Sequence, residues 1–189
     1  MSTPPSRPRP ESVSLRPLRR EDAARLAELE LRNREELLVG APLREDAWFT
    51  EEAQRAMLDE ALAAAEEGRG VPLGIVLGGE QLVGRLSING IVRGAFESAS
   101  LGYWVDREAT GQGVATRAVR AAIGVAFGAL RLHRLQAEVQ VGNDASARVL
   151  ENCGFVEYGL APQYLRLGGD WRDCRLFQLV HADWTPPGP

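Results

Sequence analysis

The residues best suited to chemistry begin at Thr110-Gly111-Gln112-Gly113-Val114-Ala115-Thr116, where side chains are absent, small or uncharged. Apolar residues then recur at Ala115, Ala118, Val119, Ala122, Ile123, Ala126 and Phe127, the i, i+3, i+4, i+7 pattern of a helix. A bare loop entering a helix leaves N–H groups unpaired at the positive end of the dipole. That is a seat for an anion such as a phosphate or pyrophosphate. Arg117 and Arg120, in the first turns, suit an anionic ligand. An ordinary strand–turn–helix uses glycines in the same way, so both readings stand at this point. A Walker loop is disfavoured because the chain has no lysine, and a dinucleotide loop because Thr116 stands where its third glycine belongs.

A second set lies on Leu135-Gln136-Ala137-Glu138-Val139-Gln140-Val141. Strict alternation puts Leu135, Ala137, Val139 and Val141 on one face of a strand and Gln136, Glu138 and Gln140 on the other. Such a polar row ordinarily faces solvent; where helices cover both faces of the sheet, it lines a wet cavity. Next, Gly142-Asn143-Asp144-Ala145-Ser146 turns the chain into a short helix over 147–152, and capping by Asn143 or Asp144 is a complete structural role for them. Cys153 and Cys174, with only His133 and His181 to assist, lack metal-ligand spacing, so no metal is expected.

These residues need a scaffold. A strand before the loop places Leu101, Tyr103 and Val105 on one side, and residues 106–110 turn the chain. Tyr103 reads first as a core aromatic and second as a catalytic group. Residues 1–11, rich in Pro, Ser and Arg, are expected to form a disordered tail, 12–184 one domain and 185–189 a loose end. Pro17 limits the opening strand to an edge or a strand end. Asp22 is expected to cap a helix burying Ala23, Leu26, Leu29 and Leu37. Thr50 opens another, burying Ala53, Met57, Leu58, Ala61 and Leu62. Between them, 39–49 carries Pro42, Trp48 and Phe49, which reads either as a substrate lid or as a loop pinned by Trp48. Strands at 71–77 and 81–89 flank Gly78-Gly79, and strands at 163–167 and 171–180 flank Gly168-Gly169-Asp170, two hairpins. The net charge of −4 argues against nucleic-acid or anionic-membrane partners. No apolar run reaches membrane length and no signal sequence opens the chain; with two unpaired-looking cysteines, a reduced cytoplasmic protein is expected.

Taken in order, Leu101-Gly102-Tyr103-Trp104-Val105, Gly111-Gln112-Gly113-Val114-Ala115, Leu132-His133-Arg134-Leu135 and Asn143-Asp144-Ala145-Ser146…Cys153-Gly154-Phe155 resemble the GCN5-related N-acetyltransferase (GNAT) family. The likeness is strongest to its ribosomal-protein-alanine N-acetyltransferase branch and extends from Val13 to Val180. It implies an α/β (α+β) fold: a mixed, mostly antiparallel sheet of about seven strands, splayed between the fourth and fifth, with helices on both faces. Acetyl-CoA would enter the splay as co-substrate. The amides of Gly111, Gln112, Gly113, Val114, Ala115 and Thr116 would hold its pyrophosphate. The main chain of Trp104 and Val105 would bond the pantetheine arm, and Asn143 and Ser146 would contact the pantetheine and the sulfur end. The sequence departs from the family pattern at Thr110, where Gln or Arg is usual, at Ser100, where many relatives carry Glu, and at Cys174, where His is common.

The implied reaction transfers acetyl to a primary amine by direct attack in a ternary complex. It needs a neutral amine, a polarised thioester carbonyl and a proton for the thiolate. Ser146 is the candidate proton donor, with helix capping as its structural alternative. Glu138 is the candidate base or water-ordering group, with an exposed strand residue as its alternative. His133 is expected to position the start of its strand. The expected acceptor is a protein or peptide N-terminal α-amine; alternatives are a small amine (polyamine, amino acid or antibiotic), and a non-catalytic acyl-CoA sensor. Nothing in the sequence fixes the oligomeric state, and a homodimer is left open.

Overall fold

The computed structural model describes residues 12–40 and 42–186. Its strands are β1 (Val13–Pro17), β2 (Gly70–Leu77), β3 (Gln81–Val92), β4 (Ser98–Val105), β5 (Arg134–Gln140), β6 (Val156–Leu167) and β7 (Asp170–Val180). Its helices are α1 (Ala23–Arg32), α2 (Arg34–Gly40), α3 (Glu51–Glu66), α4 (Val114–Gly124) and α5 (Asp144–Asn152). The strands form one mixed sheet in the order β1-β2-β3-β4-β5-β7-β6, and only the β4–β5 pairing is parallel. This is the seven-stranded architecture expected from the resemblance.

Strand alternation sorts the side chains into two layers. Leu73, Ile75, Leu86, Ile88, Leu101, Leu135, Ala137 and Val139 pack with Ala118, Val119 and Ala122 of α4 and with Ala147 and Leu150 of α5. On the opposite face, Leu26 and Leu29 of α1 and Leu58 of α3 pack with Leu18 and Leu82, and Trp104 lies against this second cluster. Both faces therefore carry helices, and the polar row of β5 is half-buried.

Several local expectations are corrected. Asp22 does not cap α1; its carboxylate accepts from Arg16 Nη1 and Nη2 at 2.7 and 2.6 Å and from the Arg19 amide at 2.8 Å, tying β1 to the turn before the helix. Leu37 lies in α2, because the helix breaks at Asn33. On α3, Gln54 and Leu58 are buried while Ala53, Met57, Ala61 and Leu62 are half-buried: Gln54 Nε2 reaches the carbonyl of Trp48 at 2.9 Å, and a groove separates part of α3 from the sheet. Val141 lies past the end of β5 and is exposed. α5 starts at Asp144 rather than 147, and β6 at Val156 rather than 163, because two register shifts around Gly159 and Pro162 interrupt its alternation. Residues 1–11 and 187–189, which include the expected tail and most of the expected loose end, lie outside the described residues. Trp48 pins its loop: Nε1 donates to Glu30 Oε2 at 3.1 Å, the Arg44 guanidinium lies 3.7 Å from the ring centroid, and Phe49 is buried.

The break at Asn33 fastens the scaffold to the site. Asn33 Nδ2 donates to the Leu29 carbonyl (2.7 Å) and to Asp106 Oδ1 (3.0 Å), and its Oδ1 accepts from the Arg107 amide (2.8 Å). Asn competes with helical hydrogen bonding in this way. Arg32 Nη2 completes the knot on Asp106 Oδ2, and both Asn33 and Asp106 are buried. Asn33→Ala is expected to lower unfolding free energy in urea by about 2–3 kcal/mol, because it strands a buried acceptor and a backbone donor.

Candidate active site

β4 and β5 pair only at Ser98↔Arg134, Ala99↔Leu135 and Ser100↔Gln136, then part. Beyond the fork β4 stays with β3 and β5 stays with β7. Gly84 allows the first of these: a Cβ there would stand 2.3 Å from the Trp104 carbonyl oxygen and 3.0 Å from Val105 Cα. The backbone of Trp104 and Val105 thus has a strand partner on one side and the fork on the other. A cavity of about 270 Å³ fills the fork. Tyr103, Ser146 and Leu150 line it from the α4/α5 side; Arg85, Ser87 and Glu138 line it from the other. The cavity therefore runs through the sheet.

Glu138 and Gln140 belong to this lining, whereas Gln136 is engaged elsewhere, accepting from Ser98 Oγ at 3.2 Å and donating to Tyr158 Oη at 2.8 Å. Ser100 Oγ donates to Glu138 Oε1 at 3.2 Å. Burial pushes the Glu138 carboxyl above its ordinary value, and the Ser100 hydrogen bond offsets part of that rise. Tyr103 is no plain core aromatic: its hydroxyl lies 2.9 Å from Ser146 Oγ and donates to the Ser146 carbonyl at 3.3 Å. Burial pushes its phenol up to about 12, so it stays protonated at neutral pH. Asn143 Oδ1 accepts from the Ser146 amide at 3.1 Å and is the cap of α5, which leaves the Ser146 hydroxyl free of that duty. His133 bonds through its backbone, its amide to the Glu97 carbonyl and its carbonyl to the His181 amide, at the entry to β5.

Past the end of β4, Asp106 caps a single 3₁₀ turn at Arg107–Ala109, and Thr110 Oγ1 and Gln112 Nε2 bond back to the carbonyls of Arg107 and Glu108. Gly111 and Gly113 hold φ values of 73° and 71°, the left-handed region that favours glycine. Nothing lies within 4 Å of a Cβ placed on either. Gly113 is the N-cap of α4 with no side chain capping the first amides, and the first turn carries no acidic residue. Buried Val114 anchors the helix start, with Ala115 and Thr116 half-buried behind it. The loop therefore fits a pyrophosphate. Both arginines lie in the first turns of α4: Arg117 donates to the carbonyls of Gln112 and Gly113, and Arg120 Nη2 to the Asn152 carbonyl at 2.9 Å. Among the described residues no group of three or more His, Cys, Asp or Glu is placed to hold a metal, and no helix is long and apolar enough to cross a membrane.

Sequence reasoning missed Arg85 and the indole of Trp104 as cavity groups. Arg85 alternates with Leu86 on β3 and resembles any solvent-facing strand residue; only the helices over that face make it interior.

Residues 12–156 match the family model described as Acetyltransferase (GNAT) domain. The chain is 33% identical over 174 residues to a probable N-acetyltransferase, YjcK, of Bacillus subtilis, covering 92% of this chain and 96% of that one. It is 31% identical over 166 residues to the ribosomal protein uS5-alanine N-acetyltransferase of Escherichia coli, covering 87% and 86%. The solved structure of Mycobacterium smegmatis RimJ in complex with CoA-disulfide superposes with a TM-score of 0.87 at 34% identity, covering 93% of this chain and 84% of that one. With the forked sheet and the left-handed glycine loop in place, the chain belongs to the GNAT family, in its ribosomal-protein-alanine N-acetyltransferase-like branch, as an N-acetyltransferase that uses acetyl-CoA.

Proposed function

We propose that residues 12–184 act as one catalytic domain that acetylates the N-terminal α-amine of a protein or peptide by direct attack within a ternary complex. The observation that carries this reading is the cavity through the sheet, with Glu138 on one side and the Tyr103–Ser146 pair on the other. Donor and acceptor then enter from opposite faces and meet at the fork.

Bound acetyl-CoA supplies a thioester carbonyl. Gly111 to Thr116 present backbone amides to its pyrophosphate, and the main chain of Trp104 and Val105 bonds its pantetheine arm and orients the carbonyl. Asn143 holds the start of α5, which sets Ser146 at the sulfur end. Glu138 takes a proton from the acceptor nitrogen on Oε2, while Ser100 keeps the carboxylate turned into the cavity through Oε1. As the amine nitrogen bonds to the carbonyl carbon and the C–S bond breaks, Ser146 Oγ would give its proton to the departing sulfur while the Tyr103 hydroxyl, 2.9 Å away, hydrogen-bonds to it. Ser146 regains a proton from solvent and Glu138 releases one to solvent.

An α-amine, with a reference pKa of about 7.7–8.0, is partly neutral at pH 7 and needs little help from a single carboxylate; a lysine amine, at about 10.4, needs far more. The printed activity of the E. coli relative, alanine N-acetylation of ribosomal protein uS5, supports the same class. In a side-by-side assay, peptides with N-terminal Ala or Ser are expected to exceed free lysine, a polyamine and an aminoglycoside in kcat/KM by at least about tenfold, about one pKa unit's worth of free energy. Mass spectrometry locates the acetyl group. Faster modification of ε-amines or of a polycation rejects the α-amine assignment.

A further inference from the structure

We propose that Arg85 selects acceptors bearing a carboxylate side chain at their second or third residue; this rests on the N-terminal reading above and adds a sequence preference to it. Arg85 lies mid-β3 on the α1/α3 side of the sheet. It lines the fork cavity and also a larger groove, about 700 Å³, between α3 and the sheet; Ser87 is likewise shared by the two. An extended chain leaving the fork for that groove passes Arg85. The fork cavity is itself near the low end of the usual range for small-ligand sites, about 300–1,000 Å³, so only the first residues of an acceptor fit inside it.

Arg85 is poorly matched by the protein. Among the described residues no carboxylate forms an ion pair with it, and its Nη1 donates to Met57 Sδ at 2.9 Å, a weak acceptor. Glu30 attracts Arg85 from nearby, but its Oε2 already accepts from Trp48, and Arg44 adds a second positive charge on the same side. Desolvation of the guanidinium lowers its pKa. Trp104 Nε1, on a residue that lines the same cavity, is a buried donor with no partner among the described residues. A guanidinium matched only by a thioether, beside an unpaired indole N–H, calls for a ligand that brings oxygen acceptors. The guanidinium fork matches a carboxylate bidentately. Glu138 repels such a group beside the amine itself, which places the acidic side chain one or two residues further along.

The test uses amidated hexapeptides with N-terminal Ala, glutamine throughout as reference, and a single glutamate at position two, three or six. Each is titrated calorimetrically into the CoA-saturated enzyme and separately assayed for turnover. Glutamate at position two or three is expected to tighten binding about tenfold or more over the reference and over position six, as a charge-assisted pair does. Arg85→Met should bring that ratio to within about twofold while holding the reference peptide near its wild-type affinity, and Arg85→Lys should keep part of it. Equal wild-type affinities, or an Arg85→Met that weakens every peptide alike, overturns the assignment, and the wild-type ratio decides even if Arg85→Met fails to fold. Turnover is read apart from binding: tight glutamate-dependent binding without acetylation of any peptide rejects the N-terminal reaction and leaves the anion preference standing.

Discussion

Gly113→Glu is expected to abolish the rise in melting temperature that acetyl-CoA should give the wild-type protein. The substitution leaves the fold in place, because open space surrounds the missing Cβ and the position is an exposed helix cap. It costs about 1–2 kcal/mol in backbone strain at φ 71°. The larger effect is electrostatic: a carboxylate about 4 Å from a phosphate, at an effective dielectric near 20, repels by about 4 kcal/mol, roughly a thousandfold in affinity. Gly113→Ala separates the two, since it keeps the strain without the charge and should weaken binding by tenfold or less. Calorimetry with acetyl-CoA, alongside circular dichroism to confirm folding, is the measurement. Near-wild-type affinity in Gly113→Glu places the pyrophosphate elsewhere.

Glu138→Gln is expected to lower kcat/KM by about 10²–10³ while making the protein more stable at neutral pH. Burial raises the folded-state pKa of this carboxyl above its unfolded value. The folded chain then holds the proton more tightly than the unfolded chain. That contribution is fully present below the unfolded pKa and is lost as pH rises through the folded pKa. At pH 7 the wild type carries a desolvated charge that Gln does not. The stability gap should therefore favour the variant at pH 7 and close on acidification past the ordinary carboxyl value of 4.5. Activity gives the second signature: kcat/KM of the wild type rises over an acidic limb set by the carboxylate and a second limb set by the α-amine. The variant should lose the first and retain the second. A variant within twofold of wild type that keeps the acidic limb excludes Glu138 as the base.

The architecture was legible wherever one local pattern governed the result. The helix after the glycine loop, the alternation of β5 and the Gly78-Gly79 hairpin follow from period and turn chemistry, and the resemblance supplied the fork between β4 and β5. The left-handed turn of the loop was legible from Gly111 and Gly113, while an anion-binding role for it came from the resemblance, since an ordinary strand–turn–helix uses glycines in the same way. What stayed hidden depended on layers. Arg85 and the indole of Trp104 matter because α1, α2 and α3 roof one face of the sheet, and alternation within a strand cannot say whether its polar side meets water or a cavity. The break at Asn33 was missed for a related reason, since its side chain answers to Asp106 and Arg107, far along the chain. β6 was half-missed because bulges around Gly159 and Pro162 scramble the very period used to find strands.

The fork has a further consequence, for the lifetime of the protein. The two plates of the sheet, β1–β4 and β5–β7, share a ladder of three residue pairs, and each backbone hydrogen bond there contributes about 1 kcal/mol net. Occupancy by acetyl-CoA at a hundred times its dissociation constant adds about 2.7 kcal/mol to global stability. The plates also share the core under α4 and α5, and occupancy would add to both in lowering how often they open to proteases. Starvation for acetyl-CoA would then thin out the enzyme as well as idle it.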